Sequence, residues 1–239
     1  MERLVNQGVL ALGDSITNGG GELQWGVALQ SWGQWVARGL GLPFTNHAID
    51  GATVADVLAV QIPGFERHSA RPEAGFDVGC LYIGVNDVRS PAWDPGTYAA
   101  GVESVLEWLD ARCTRMLVCT LPLDLGRPRA GTRVRVANAT LAAAARRHGA
   151  LVVALGDFGA RNRVMADQVH PTAFGQIAIA ERALAVLDAD GLQTRVRPST
   201  LISYDTTRLD RLRGDWTYVY RRAKGAARAM LLRSRGDRA

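Results

Sequence analysis

Ser15 is the first residue in this chain whose setting suggests chemistry. It follows the apolar run Val9-Leu10-Ala11-Leu12 and a Gly13-Asp14 step, the pattern of a buried strand that stops at a glycine and presents a hydroxyl at the sheet edge. A serine hydroxyl is a weak nucleophile, so acyl chemistry on it requires a base within hydrogen-bond reach and a third group to orient that base. Three later polar clusters could supply partners: Asp50-Gly51, Gly84-Val85-Asn86-Asp87 and Asp167-Gln168-Val169-His170-Pro171. A carboxylate three residues before a histidine can reach its ring within one turn. Asp14 and Asp157 are the rival carboxylates. His47, His68 and His148 have no partners at ligand-like spacing and read as solvated or capping residues.

The elements between these clusters must bring them together. Trp25, Ala28, Leu29, Trp32, Trp35, Val36 and Leu40 recur at helical spacing and predict a helix after the 18–21 loop, with the three tryptophans in the core, or with Trp25, close to Ser15 in sequence, lining an acyl pocket. Residues 44–49 read as a second strand. A helix from Thr53 carries Val54, Val57, Leu58 and Ile62 and is expected to stop at Pro63-Gly64. The apolar run 76–85 predicts a third strand. Asp94-Pro95 starts a helix with Tyr98, Val102, Val105, Leu106 and Leu109 inward. Residues 115–121 predict a fourth strand, a helix with Val134, Ala137, Leu141 and Ala145 inward follows, and 151–155 reads as a fifth strand. Val169 to Thr172 open the last core helix, with Ile177, Ala180, Leu184 and Leu187 on one face. Strands alternating with helices require crossover connections, hence a three-layer α/β/α fold with a five-stranded, mainly parallel sheet. Sites in such sheets form in the loops at the carboxyl ends of the strands, where all four polar clusters fall.

Taken together and in this order, Gly13-Asp14-Ser15, Asp50-Gly51, Gly84-Val85-Asn86-Asp87 and Asp167-Gln168-Val169-His170-Pro171 resemble the four blocks of the SGNH hydrolases, the GDSL lipase/esterase family, over residues 8–187. The resemblance implies a flavodoxin-like arrangement of the sheet. It implies Ser15 as nucleophile, His170 as general base and Asp167 as its orienting carboxylate. It also implies an oxyanion hole built from the backbone N–H groups of Ser15 and Gly51 and the side-chain amide of Asn86. The expected activity is a serine esterase or acylhydrolase working through an acyl-enzyme. Two other readings stand beside it: an acyltransferase using the same residues with an alcohol acceptor, and a non-catalytic, membrane-associated binding module, against which the intact Ser15, Asn86, Asp167 and His170 argue. The substrate class is a small-molecule, lipid or sugar ester, shaped by loops 19–24, 89–93 and 123–133.

Composition bounds the remaining classes. With 239 residues, 47% hydrophobic and 21% charged, the chain holds one sizeable core plus an appendage. The first residues show no basic start followed by an apolar stretch and cleavage site, so no signal peptide is expected. No apolar run reaches the roughly 18 residues of a membrane span. Cys80, Cys113 and Cys119 read as reduced, packed thiols, and a cytoplasmic location, with at most a peripheral membrane association, is expected. No Cys/His cluster, P-loop or dinucleotide fingerprint is present, so neither a metal nor another cofactor is expected.

The net charge of +5 is unevenly placed: residues 191–239 hold 12 Lys and Arg against 4 Asp and Glu, a net +8, leaving −3 for residues 1–190. The chain is accordingly read as a catalytic domain, 1–190, and a basic extension, 191–239. In the extension, Leu209, Leu212, Trp216, Val219, Ala223, Ala226 and Met230 recur at alternating steps of three and four, widened by Tyr220, Ala227 and Leu231. Arg211, Arg221, Arg222, Lys224, Arg228 and Arg233 lie to the sides. This is a basic amphipathic helix, weakened by Gly214 and Gly225, that needs a surface to form on. The surfaces expected are the protein itself, a partner subunit in a homo-oligomer, or an anionic membrane. Nucleic acid is the disfavoured partner.

Overall fold

The structure, a computed structural model, describes residues 7–69, 74–126, 129–160, 162–212, 214–220 and 223–224. Its spine is strand β1 (Val9–Gly13), every residue of which is buried. On one side β1 pairs with β2 (Phe44–Asn46); on the other it pairs with β3 (Phe76–Tyr82), followed by β4 (Cys113–Cys119) and β5 (Leu151–Val153). All four pairings are parallel, with Val9 opposite both Phe44 and Val78, and Leu117 opposite Leu151. The order β2-β1-β3-β4-β5 is flavodoxin-like, and it reverses between β1 and β3. At that reversal the following loops diverge and leave a crevice at the strand ends.

Helix α1 (Ser15–Asn18) follows β1 directly, and α2 (Trp32–Leu40) precedes β2. Between β2 and β3, α3 (Val54–Asp56), a π-helical turn (Val57–Gln61) and α4 (Ile62–His68) form one continuous helical stretch. Helices α5 (Val85–Arg89) and α6 (Pro95–Asp110) lie between β3 and β4, α7 (Thr132–Arg147) precedes β5, and α8 (Ala173–Ala189) follows it. Helices α2 and α8 pack together as one layer, while α3, α6 and α7 pack in the other. The parallel sheet is thus buried on both faces, and its strands read as near-continuous apolar runs for that reason.

Several boundaries differ from the sequence expectation. The first long helix starts at Trp32, not near Trp25, because Ser31 caps it by accepting from the Gly33 N–H at 3.1 Å. Trp25 sits in the loop before it with φ 50°, so Trp32 and Trp35 are core and Trp25 is not. The helix after β2 does not stop at Pro63-Gly64. The π turn carries it on to His68, and Pro63 falls in the first turn of α4, where a missing N–H costs little. Strand β3 ends at Tyr82, three residues short of the apolar run's end, since Gly84 caps α5 and draws Val85, Asn86 and Asp87 into its first turn. Strand β4 begins two residues earlier than the spacing suggested and β5 is shorter. Cys80, Cys113 and Cys119 are free thiols and buried.

The extension first follows the core. Leu192 and Ile202 pack against it, and the Arg195 N–H donates to the Gly39 carbonyl at 2.8 Å. Residues 208–212 and 214–220 are helical. Thr207 and Asp210 start this helix by a reciprocal cap, with the Thr207 N–H donating to Asp210 Oδ2 at 3.1 Å and the Asp210 N–H donating to Thr207 Oγ1 at 3.1 Å. The helix lies on the protein by its polar side: Gly214 stands over the Trp25 indole, and Tyr218 reaches the 162–172 loop. Leu209, Leu212, Trp216 and Val219 face outward and are exposed. The expected continuation through Gly225, Ala226, Ala227, Arg228, Met230, Leu231 and Arg233, together with the flanking Arg221 and Arg222, lies outside the described residues.

Candidate active site

The end of β1 is held in a demanding geometry. Gly13 has φ 149°, and a Cβ there would stand 2.4 Å from the Tyr82 carbonyl oxygen, so no other residue fits between β1 and β3. Both of its backbone groups are taken by one side chain: the Gly13 N–H donates to Gln61 Oε1 at 3.0 Å, and Gln61 Nε2 donates to the Gly13 carbonyl at 2.7 Å. Gln61 is buried and comes from the π turn, whose wider winding turns it toward the sheet end. Each such bond contributes about 1 kcal/mol net, but leaving these buried groups unpaired would cost roughly 1–3 kcal/mol apiece.

Asp14 caps α1 by accepting from the Ile16 N–H at 2.9 Å. Its other carboxylate oxygen is buried without a partner among the described residues. Burial pushes this carboxyl up to about 7, against the pull of the Ile16 hydrogen bond and of His170, with the charge of Asp87 adding to the rise. Asp14 therefore does not orient the histidine, and Asp157 is paired with Arg182 at 2.7 Å.

Ser15, at the first position of α1, is half-buried, and its Oγ lies 3.0 Å from His170 Nε2. The other ring nitrogen, Nδ1, lies 2.7 Å from Asp167 Oδ2. Asp167 Oδ1 also accepts the backbone N–H groups of Val169 and His170 at 2.9 and 3.1 Å. The carboxylate is thus fastened to its own loop by one oxygen and to the imidazole by the other. The Asp167 hydrogen bond is the main influence on His170 and raises its pKa above the usual 6.5. Burial opposes the rise, and the charges of Asp167 and Asp14 support it against that of Arg89. Burial works to raise the Asp167 carboxyl, yet the hydrogen bonds from the His170 ring and the two backbone N–H groups outweigh it and hold the group below the usual carboxylate range.

The loops after β2 and β3, at the same edge of the sheet, are bonded to each other. Asn86 Nδ2 donates to the Ala52 carbonyl at 2.9 Å, and Asp87 Oδ1 accepts the Val54 N–H at 3.0 Å, so neighbouring side chains of α5 clamp the turn that contains Gly51. Gly51 adopts φ 79°, and a Cβ there would meet nothing within 4 Å, so the turn conformation rather than crowding calls for glycine. The backbone N–H groups of Ser15 and Gly51 donate to no protein acceptor among the described residues. Asn86 spends one of its two amide hydrogens on Ala52. Ser15, Gly51, Asn86, Asp167 and His170 all lie at the carboxyl edge of the sheet, as expected.

Four positioning residues were given no role by the sequence reading: Gln61 and Gln176 lie outside every motif, and Asp87 and Gln168 lie inside the polar clusters beside Asn86 and His170. Buried Gln176 of α8 donates to the carbonyls of Ile16 and Gly20 and accepts the Trp32 N–H, tying together α8, α2 and the loop after Ser15. Gln168, between the two triad candidates of its loop, has φ 57°, and its Nε2 donates to Tyr218 Oη of the extension at 2.7 Å. A polar residue inside an apolar helical stripe was the available signal for Gln61 and Gln176. Trp25 tilts against Phe174 and stacks with Tyr204. It borders a cavity of about 470 Å³ between the 22–25 loop, the 162–172 loop and the 208–220 helix, which Ser15, Asp167 and His170 do not line.

The model of the GDSL-like lipase/acylhydrolase family matches residues 11–177. Similar solved structures include an acetylxylan esterase from Geobacillus stearothermophilus, 19% identical, covering 78% of this chain and 96% of that one with a TM-score of 0.60. An α/β hydrolase from the metagenome of Lake Arreo is 20% identical, covering 76% and 95% with a TM-score of 0.59. An extracellular lipase from Streptomyces rimosus is 23% identical, covering 77% and 99% with a TM-score of 0.54. These three share the fold of this chain. No curated protein matches it in sequence.

Proposed function

The chain belongs to the GDSL-like lipase/acylhydrolase family and is an ester hydrolase, and from that premise we propose that it cleaves a carboxylic ester through an acyl-enzyme on Ser15. The observation that carries this reading is the unbroken line Ser15 Oγ, His170 Nε2, His170 Nδ1, Asp167 Oδ2, with contacts of 3.0 and 2.7 Å. In the first step Ser15 Oγ attacks the ester carbonyl carbon while its proton passes to His170 Nε2. Asp167 stays ionised, accepts a hydrogen bond from Nδ1–H and stabilises the imidazolium that forms. The carbonyl oxygen becomes an oxyanion and is met by the unpartnered N–H groups of Ser15 and Gly51 and by the second amide hydrogen of Asn86. Collapse of the tetrahedral intermediate breaks the ester C–O bond, and the leaving alcohol takes the proton from Nε2. Water, deprotonated by the same nitrogen, then attacks the acyl carbon, and Ser15 leaves with its proton restored.

The test is rapid quenching of the enzyme during turnover of p-nitrophenyl acetate, followed by peptide mass analysis. An acetyl group on the Ser15 peptide and release of acetate are expected. Turnover without an adduct on that peptide would overturn the mechanism, and acetate passing mainly to added alcohol would assign the chain as a transferase instead.

Two results are expected from this arrangement. Asn86→Ala should lower kcat by about 10²–10³-fold with little change in KM, because the lost donor acts on charge that develops only in the transition state. Steady-state kinetics on a soluble activated ester measure this, and an unchanged kcat would remove Asn86 from the oxyanion site. The second concerns pH. Neutral His170 is the active form, and its pKa is raised by Asp167. The kcat/KM profile should therefore rise through one ionisation whose midpoint lies above 6.5, with activity lost as pH falls through it. A midpoint in the carboxylate range would contradict the role given to His170.

A further inference from the structure

The 208–220 helix of the extension is placed in a way that its own amphipathicity does not require. An amphipathic helix on a protein surface ordinarily buries its apolar side. Here the inward side holds Gly214, where an added Cβ would lie 3.9 Å from Trp25 Nε1, and Tyr218, bonded to Gln168 at 2.7 Å. The outward side holds Leu209, Leu212, Trp216 and Val219 at steps of three, four and three, with Trp216 75% exposed and the others at least half exposed. Scattered apolar side chains on a surface are ordinary, but a contiguous stripe of four on one helix face marks a place where something binds.

Charge says what binds. Arg208, Arg211 and Lys224 are exposed alongside the stripe. Residues 207–224 contain six Lys and Arg against two Asp, and the whole extension is +8 while residues 1–190 are −3. A second copy of this chain is poorly matched: a two-fold pairing of stripe on stripe would set one cationic helix against another. An anionic bilayer supplies both complements at once, an apolar layer for Leu, Val and Trp and a negative surface for the flanking cations. Among the described residues no helix is long and apolar enough to cross a membrane, so the contact is one of lying on the surface.

We infer that the helical residues 208–212 and 214–220 are a membrane-surface anchor that seats the protein on anionic lipid through Leu209, Leu212, Trp216 and Val219. The Tyr218–Gln168 bond then ties this anchor to the loop that carries Asp167 and His170. The inference stands apart from the mechanism above, since its readout is lipid binding and not turnover.

The experiment is co-sedimentation of the full chain with vesicles of phosphatidylcholine alone and of phosphatidylcholine mixed with phosphatidylglycerol, at low and high salt. Binding is expected only to the mixed vesicles and should weaken as salt rises. A Leu212→Ser/Trp216→Ser double variant should bind the mixed vesicles at least about tenfold more weakly, with hydrolysis of a soluble ester and sedimentation state unchanged. Should that variant fold poorly, Arg208→Glu/Arg211→Glu, confined to exposed cations, should lose the preference for anionic vesicles. Absence of binding by the parent, binding by both variants equal to the parent, or equal binding to neutral vesicles overturns the inference. A parent dimer that Leu212→Ser/Trp216→Ser dissolves would do so as well, by showing a second copy on the stripe.

Discussion

Ser15→Ala should lower kcat for a soluble activated ester on the order of a millionfold, and His170→Ala should do nearly the same. In the proposed mechanism the two side chains act on one proton, passed across their 3.0 Å contact. Without the hydroxyl there is no nucleophile for the imidazole to activate, and without the imidazole the hydroxyl keeps its proton at neutral pH. The double variant should therefore be no slower than either single one. The fold should persist: Ser15 is only half-buried, its hydroxyl has no hydrogen bond among the described residues besides that to His170, and Asp14 rather than Ser15 caps α1. Thermal unfolding of Ser15→Ala within a degree or two of the parent, with residual activity near background, is the expected pair of results. Parental turnover by Ser15→Ala would end the acyl-enzyme reading.

Asp167→Asn should cost about 10⁴-fold in kcat, and the local geometry explains why an isosteric change is so damaging. Asp167 Oδ1 accepts two backbone N–H groups, from Val169 and His170. An asparagine keeps those bonds only by leaving its oxygen in that place, which turns its NH₂ toward His170 Nδ1. Nδ1 must then accept, so the ring proton moves to Nε2, and Nε2 can no longer take the Ser15 proton. The same substitution removes the main influence raising His170, so the residual kcat/KM profile should shift to lower pH. Asp167→Ala, which imposes no tautomer, should be less damaged relative to its lost contacts. Near-parental kcat in Asp167→Asn, measured alongside an unchanged pH midpoint, would take Asp167 out of the line.

Much of the layout could be read from residue type and local spacing. The apolar runs 9–12, 76–85 and 115–121 announce buried parallel strands, because a strand covered on both faces has no polar side to show, although the strands themselves end at Gly13, Tyr82 and Cys119. The four polar clusters fall after predicted strands, and the topology of a parallel sheet sends all such loops to one edge. Asp167 and His170 were the most legible pair, as they are three positions apart and one turn suffices to join them.

What the sequence left open depends on contacts that spacing does not encode. Trp25 has helical spacing to Trp32, yet the Ser31 cap starts the helix after it, and the tertiary neighbours Phe174 and Tyr204 decide its place. Gln61 and Gly13 are 48 residues apart, Gln176 and Trp32 144 apart, and no local pattern pairs a buried amide with the backbone it will satisfy. The extension shows the limit most plainly. Its sequence determined that one helical face is apolar and the flanks basic, a property of 3.6-residue periodicity. Which face meets the protein was settled by the Tyr218–Gln168 bond, and that exists only once the core has placed the loop of Gln168.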